Sequence, residues 1–299
     1  MSLVATPSRL SGLTAWGQET VHLAWRPHDL AVSRKVVNSV PQPPYLSIIL
    51  PAYNEAASIR RTLTLLRSFL DAQAYRYEVI LASDGNDETP EIARDIAAGW
   101  PELKLSAETG RHGKGHGIRR GAAMASGEVV GFVDADYKTP IEELNGLLPW
   151  LAEGFDVVIG SRGVAASRVE RAQRWYRRWG SRGFGLLMHA VVGLPEITDT
   201  QCGFKFFSRR AAAVIFSRAQ IDGYMCDVEF LYLANQCGYR VKEVGIRWSD
   251  DGDSRLELVR GNVRNVIDLL RVRFNSAANR YQPAVVPLPN SSAQSQLDR

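Results

Sequence analysis

The chain has 299 residues, 45% of them hydrophobic and 23% charged, with a formal net charge of +4. That balance excludes a disordered or fibrous chain and fits a globular body of one large domain or two small ones. The mild positive charge permits an anionic partner without naming one.

Residues 1–44 read as an irregular N-terminal arm. Trp16, Val21, Leu23 and Trp25 offer apolar contacts, and Pro41, Pro43 and Pro44 close the segment as a linker. It has no apolar core of signal-peptide type. Tyr45 to Leu50 is the first strong strand, stopped by Pro51, with Pro51 to Glu55 as a loop. Ile59, Leu63, Leu66 and Leu70 follow at helical spacing. Tyr77 to Ala82 is a second strand ending in Ser83-Asp84-Gly85, and the helix after it carries Ile92 and Ile96. Leu103 to Ser106 is a third, short strand. Gly110 to Gly121 is a glycine-rich basic loop running into a helix through Ala125. Val129, Val130, Phe132 and Val133 form a buried strand closed by Asp134. A helix from Ile141 to Leu151, with Pro140 near its start, leads to a strand from Asp156 to Gly160.

This alternation predicts an α/β fold, a mostly parallel sheet with helices on both faces. Asn54, Glu55, Asp84, Asp134, Asp136 and Arg162 all follow strands, so they line the carboxyl edge, where open α/β sheets bind ligands. Asp134 and Asp136 stand one residue apart and repel each other. A hard divalent cation, Mg²⁺ or Mn²⁺, suits such oxygen ligands together with substrate phosphates. The plainer alternative is a strand-end turn, where aspartate is common.

The second half changes character. Arg168 to Arg182 contains six arginines; Arg171, Arg174 and Arg178 share one helical face, and Ala172, Trp175, Tyr176 and Trp179 the next. This is either a surface helix packed through its aromatic side or an amphipathic helix at a membrane interface. A nucleic-acid stripe is disfavoured, since no recognition fold accompanies one short helix. The longest nearly apolar stretch, Gly183 to Pro195, is broken by His189 and falls short of the roughly 18 residues that crossing a bilayer needs, so no transmembrane helix is expected. Asp199 to Phe207 reads as a polar loop leading into a strand. Asp222 to Glu229 reads as the approach to a helix, where Asp227 could serve merely as a cap. Arg240 to Ile246 is a strand, Trp248 to Arg255 an acidic-polar loop, and Leu256 to Phe274 a helix with a basic end. The Pro-, Ser-, Gln- and Asn-rich tail reads as disordered. Cys202, Cys226 and Cys237 form no Cys-x-x-Cys pair and look like reduced thiols of a cytosolic protein.

Several motifs in this order resemble one family. Pro51-Ala52-Tyr53-Asn54-Glu55, Ser83-Asp84-Gly85, the Gly113-Lys114-Gly115 loop and Asp134-Ala135-Asp136 look like the family-2 glycosyltransferases of GT-A fold. Gly160-Ser161-Arg162, the run from Asp199 through Lys205, and Asp227-Val228-Glu229 narrow the likeness to the branch that makes polyprenyl-phosphate sugars, closest to dolichyl-phosphate β-glucosyltransferases. The likeness covers roughly residues 45–275, implying an arm (1–44), a GT-A domain (45–275) with a C-terminal helical extension that includes the Arg/Trp helix, and a disordered tail (276–299).

The resemblance also implies roles. Pro51, Tyr53, Glu55 and Asp84 would hold base and ribose, Lys114 would lie near the donor phosphates, and Asp134 and Asp136 would hold the metal, Asp134 also touching the nucleotide. Arg162 would face the acceptor phosphate. Gln201, Asp227 and Glu229 would line the sugar and acceptor pocket, and Ser254 and Arg255 would sit in a loop closing over the diphosphate. The implied catalytic set is Asp136, Arg162, Asp227 and Glu229. The implied reaction moves a hexose, expected to be glucose, from UDP-glucose to a polyprenyl or dolichyl phosphate with inversion.

A phosphate acceptor is already ionised and needs cations rather than a base; an alcohol acceptor would need Asp227 or Glu229 as base. With no membrane anchor expected, the lipid acceptor implies a cytoplasmic protein held peripherally at the cytoplasmic membrane face. The competing readings are the same donor chemistry on a soluble or polysaccharide acceptor, and a non-catalytic nucleotide-sugar or nucleic-acid binder.

Overall fold

A computed structural model describes residues 42–169, 193–194, 196–249 and 260–282. The stretch expected to form an Arg/Trp helix lies outside the described residues beyond Val169, and its first residues, Arg168 and Val169, are in a strand instead. The N-terminal arm, the tail beyond Gln282 and the pair Ser254 and Arg255 also lie outside them. The described residues belong to one compact unit.

Nine strands and seven α-helices are described, with one 3₁₀ turn. The chain order is β1 (Leu46–Tyr53), α1 (Ile59–Asp71), β2 (Tyr77–Gly85), α2 (Thr89–Ala97), β3 (Leu103–Thr109), α3 (Lys114–Met124) and β4 (Val129–Val133). The 3₁₀ turn Ile141–Glu143 then leads into α4 (Leu144–Ala152), β5 (Val157–Ser161) and β6 (Arg168–Val169). The rest is β7 (Phe204–Ser208), α5 (Arg209–Arg218), α6 (Cys226–Gln236), β8 (Val241–Gly245), β9 (Arg247–Trp248) and α7 (Arg260–Ala277). Seven strands form one sheet in the order β3-β2-β1-β4-β7-β5-β8, and β6 and β9 pair separately.

The sheet is mostly parallel, as expected, but β7 runs antiparallel between β4 and β5. Its start, Phe204, is therefore opposite the end of β4, Val133. That reversal brings Cys202 and Gly203 to the carboxyl edge of β4.

Alternating strand residues feed two apolar layers, because successive side chains leave opposite faces of a strand. Ile48 and Leu50 join Leu63, Leu66, Leu70, Trp100 and Leu147 under α1, α2 and α4. Ile49 joins Ile118, Phe132, Ile215 and Phe230 under α3, α5 and α6. Gly131 makes room for its cross-strand neighbour in the first of these layers: a Cβ there would lie 2.1 Å from the Phe206 ring.

Several elements differ from the sequence reading. Pro51 does not stop β1, which runs on to Tyr53 paired with β2. β1 pairs with β4 only as far as Ile49, so Pro51 lies where the strand has lost that neighbour and no ladder donor is needed. The glycine-rich stretch is helical from Lys114, after Gly113 at φ 111° makes the turn. Helix α5, capped by Ser208 Oγ accepting from Ala211 N, was not anticipated. At the other end, α7 runs past 275 to Ala277. Among the described residues no helix is long and apolar enough to cross a membrane.

Candidate active site

The carboxyl edge is built differently on its two sides. On the β1–β2–β3 side the backbone does the shaping. Tyr53, Asp84 and Glu108 stand in register across the three strands. Asn54 adopts φ 53°, and its Oδ1 accepts from Asn86 N at 3.0 Å. Gly85, at φ 120°, is required: a Cβ there would lie 2.0 Å from Asn54 Oδ1. The buried Asp84 carboxylate accepts from His112 N at 3.1 Å and Gly113 N at 3.2 Å, tying the turn before α3 to β2. Arg120 Nη2 approaches its other oxygen at 3.2 Å. The Arg111 guanidinium lies 4.8 Å over the Tyr53 ring. Glu55 accepts from Ser58 Oγ at 2.6 Å, and Pro51 lies beneath α3 at Gly117.

On the β4–β7 side charge does the shaping. Lys114 Nζ, on the first turn of α3, sits 2.9 Å from Asp134 Oδ1 and 2.9 Å from Asp227 Oδ2. Lys205 Nζ, on β7, sits 2.5 Å from the other Asp227 oxygen and donates to Cys202 O. Both ammonium groups face the Phe132 ring, at 5.4 and 5.6 Å. Lys205 and Asp227 are buried, so each charge needs its partner. Burial pulls Lys114 down, but Asp134 and Asp227 more than offset it and hold the ammonium well above the ordinary lysine value. Burial raises Asp227, and Lys114 and Lys205 reverse that, leaving its carboxyl below the aspartate value. Asp134 ends above its ordinary value: desolvation raises it, Lys114 lowers it, and Asp136 and Asp227 raise it again. Gly203 lets this cluster close, since a Cβ there would lie 2.0 Å from the Asp134 carboxylate.

Arg162, just past β5, makes a two-pronged pair with Asp199: Nε donates to Oδ2 at 2.7 Å and Nη2 to Oδ1 at 2.8 Å. Its guanidinium lies 5.3 Å from the centre of the Trp248 ring. Glu243 fixes the Asp199 loop by accepting from Thr198 N and Asp199 N. Gln201 Nε2 meets Met225 Sδ at 3.7 Å.

Glu229 is placed elsewhere. It lies two residues from Asp227 on α6, which turns it to another face of the helix. Its carboxylate accepts from Gln220 N, Ile221 N and Tyr281 Oη at 2.8 to 3.0 Å. It therefore clasps the segment before α6 to Tyr281, just past α7, apart from the lysine–aspartate cluster. Lys205, which the sequence reading gave no role, is the residue it missed. A single lysine inside the run Phe204-Lys205-Phe206-Phe207 was the available signal, because a lysine in a buried strand needs a carboxylate.

Asp136 is half-exposed, pairs with Lys138 at 2.9 Å, and stands beside the half-exposed Asp134. Two open carboxylates are too few for a closed protein cage. They do fit a hard cation whose remaining ligands are substrate phosphates and water.

The matching family is Glycosyl transferase family 2, over residues 47–216. The chain belongs to this glycosyltransferase family. It is 31% identical over 244 residues to the dolichyl-phosphate beta-glucosyltransferase ALG5C of Trichomonas vaginalis, covering 78% of this chain and 72% of that one. To the dolichyl-phosphate beta-glucosyltransferase of Homo sapiens it is 30% identical over 254 residues, covering 79% and 78%. Among solved structures, glucosyl-3-phosphoglycerate synthase from Mycobacterium tuberculosis, in complex with Mn²⁺, UDP-glucose and phosphoglyceric acid, superposes with a TM-score of 0.59 at 20% identity. That match covers 77% of this chain and 79% of the other, and shows the fold, the GT-A architecture expected from the motifs. The resemblance to the dolichyl-phosphate branch thus holds over most of the chain.

Proposed function

We propose that this family-2 glycosyltransferase moves glucose from UDP-glucose to a polyprenyl or dolichyl phosphate, inverting the anomeric centre, with Mg²⁺ or Mn²⁺ held by Asp134 and Asp136. The relatives' dolichyl-phosphate specificity supports the acceptor class. One observation favours an ionised phosphate over an alcohol acceptor. Of the two carboxylates that could have acted as base, Asp227 is tied to two lysines and Glu229 to three donors. Neither is placed to take a proton, and a phosphate gives none up.

In this reading the bound cation neutralises charge developing on the departing diphosphate. Tyr53, Glu55 and the Asp84-held turn receive base and ribose. Lys114, fixed between Asp134 and Asp227, carries positive charge to the phosphate side. Asp227 orients Lys114 and Lys205 rather than shuttling a proton. Arg162 is held by Asp199 through Nε and Nη2, and its Nη1 edge, not used by Asp199, meets the acceptor phosphate. Gln201 lines the sugar side.

Peripheral membrane contact is part of the reading. Val263, Ile267, Leu270 and Phe274 are exposed along α7 at helical spacing, beside Arg264, Arg271 and Arg273.

The test is UDP release from UDP-glucose with Mg²⁺ or Mn²⁺, with and without a short polyprenyl phosphate in detergent. Release should rise with the lipid, and labelled sugar should enter the organic phase. Asp136→Ala should lower turnover by on the order of 100-fold. Unchanged turnover in that variant would sink the carboxylate assignment. Donor binding without lipid-stimulated turnover would move the acceptor to a soluble or polysaccharide one.

A further inference from the structure

Glu108 lies near the end of β3, His112 in the turn before α3, and His116 on the first turn of α3. One ligand atom from each residue lies within 4.8 Å of the other two. His116 Nε2 is 2.8 Å from Glu108 Oε2, and His112 Nε2 is 3.7 Å from the same oxygen. The two rings are 5.1 Å apart at a tilt of 32°. Ligands around a tetrahedral ion stand about 3.4 Å apart, so an ion would draw these atoms together by side-chain adjustments of an ångström or so, with His112 Nε2 giving up its 3.0 Å contact with Thr109 O. All three side chains are between one-third and one-half exposed, which leaves an ion a way in.

We propose that Glu108, His112 and His116 form a transition-metal site, of the kind that takes Zn²⁺, separate from the Asp134–Asp136 pair. Two imidazoles and one carboxylate are the donor set of open zinc sites, with a fourth position left to water. The chemistry differs from the all-oxygen pair at Asp134, which suits a harder ion. Arg120 Nη1 forms an ion pair with the same Glu108 oxygen at 2.5 Å. Arg120 is itself fixed by Ser83 O and Ser106 O, so Glu108 is already oriented.

The placement gives the ion a consequence. The turn Gly110–Gly113 bridges Glu108 and His116; Asp84 holds its far end, and Arg111 on it covers Tyr53. An ion joining β3 to α3 pins that turn over the β1–β2 side of the edge. The site stands whether or not the glucosyl-transfer reading does, and its test uses no nucleotide.

Untagged, metal-stripped protein would be titrated with Co²⁺, followed by Zn²⁺. One equivalent of Co²⁺ should produce visible d–d absorption, and Zn²⁺ should abolish it. His112→Asn/His116→Asn should lose at least about tenfold in affinity, since even outer-partner changes cost 10–100-fold. Glu108→Gln should weaken binding in the same direction, and thermal melts would confirm that each variant folds. Asp134→Asn/Asp136→Asn should bind Co²⁺ as the parent does. Amide exchange at His112 and Gly113 should slow in the Zn²⁺-loaded parent. Absence of binding in the parent, or binding kept by both the double-histidine and Glu108→Gln variants, would overturn the site. So would binding lost in the double-aspartate variant and kept in the double-histidine one.

Discussion

The two sides of the carboxyl edge use different materials. On the β1–β2 side the shape comes from backbone: Asn54 and Gly85 at positive φ, and an Asp84 carboxylate occupied by two main-chain N–H groups. On the β4–β7 side it comes from four charges in contact, Lys114, Asp134, Lys205 and Asp227, two of them fully enclosed. A backbone-made site fails when one residue cannot adopt its φ. A charge-made site fails when one partner leaves and strands the rest.

The sharpest way to break this contrast is Lys205→Met. Methionine is close in volume, so packing under Phe132 changes little and the lost charge dominates. Asp227 would keep only Lys114, and one of its buried oxygens would lose its cation. Removing one member of a buried pair typically costs about 3–5 kcal/mol, and the remaining lysine puts the expectation near 3. Denaturant unfolding should show the unfolding free energy, midpoint times slope, falling by that amount, a large share of a typical domain's stability. An unchanged midpoint would mean that the four groups do not act as one charged unit.

Gly85→Ala tests the other side, with a smaller effect. The new Cβ meets Asn54 Oδ1 at a φ of 120°, which an alanine adopts only under strain. Such strain costs on the order of 2 kcal/mol. Because Asn54 must shift, UDP binding by calorimetry should weaken more than the melting temperature alone suggests. If UDP binding holds while stability drops, the β1–β2 side is scaffold rather than nucleotide site.

The same contrast explains what the amino-acid pattern revealed. Pro51 to Glu55, Ser83 to Gly85 and Asp134 to Asp136 are local: each follows its own strand, and the α/β alternation places them all on one edge. The β4–β7 cluster depends on which strand lies beside β4. The apolar run Phe204–Ser208 marks a strand but carries no direction, so the antiparallel insertion stayed hidden, and with it the meeting of Lys205 and Asp227. Helix α5 escaped for a related reason. Its Arg-Arg-Ala-Ala-Ala start has little apolar stripe, and packing of Ile215 and Phe216 on Phe207 and Phe230 is what buries it. Glu229 was grouped with Asp227 because they are neighbours in a motif. On a helix, two residues apart means different faces, and the partners of Glu229 come from Gln220, Ile221 and Tyr281.

The smallest expected effect is one of shape, at the Arg162–Asp199 pair. Burial raises the Asp199 carboxyl, and Arg162 more than reverses this, leaving it below the ordinary aspartate value. A depressed folded pKa means that the unfolded chain takes up the proton first. The stability Asp199 lends is therefore fully present above the unfolded aspartate value, about pH 4, and is lost as pH falls through the lower folded value. Melting temperature from about pH 6 downward should drop steeply below that point in the parent protein. In Asp199→Asn the acid limb should become shallower without disappearing, because Asp227 is shifted in the same direction and still titrates. Identical acid limbs would show that Arg162 is held by its Trp248 contact and backbone rather than by charge. Arg162 would then belong with the backbone-made side of the edge.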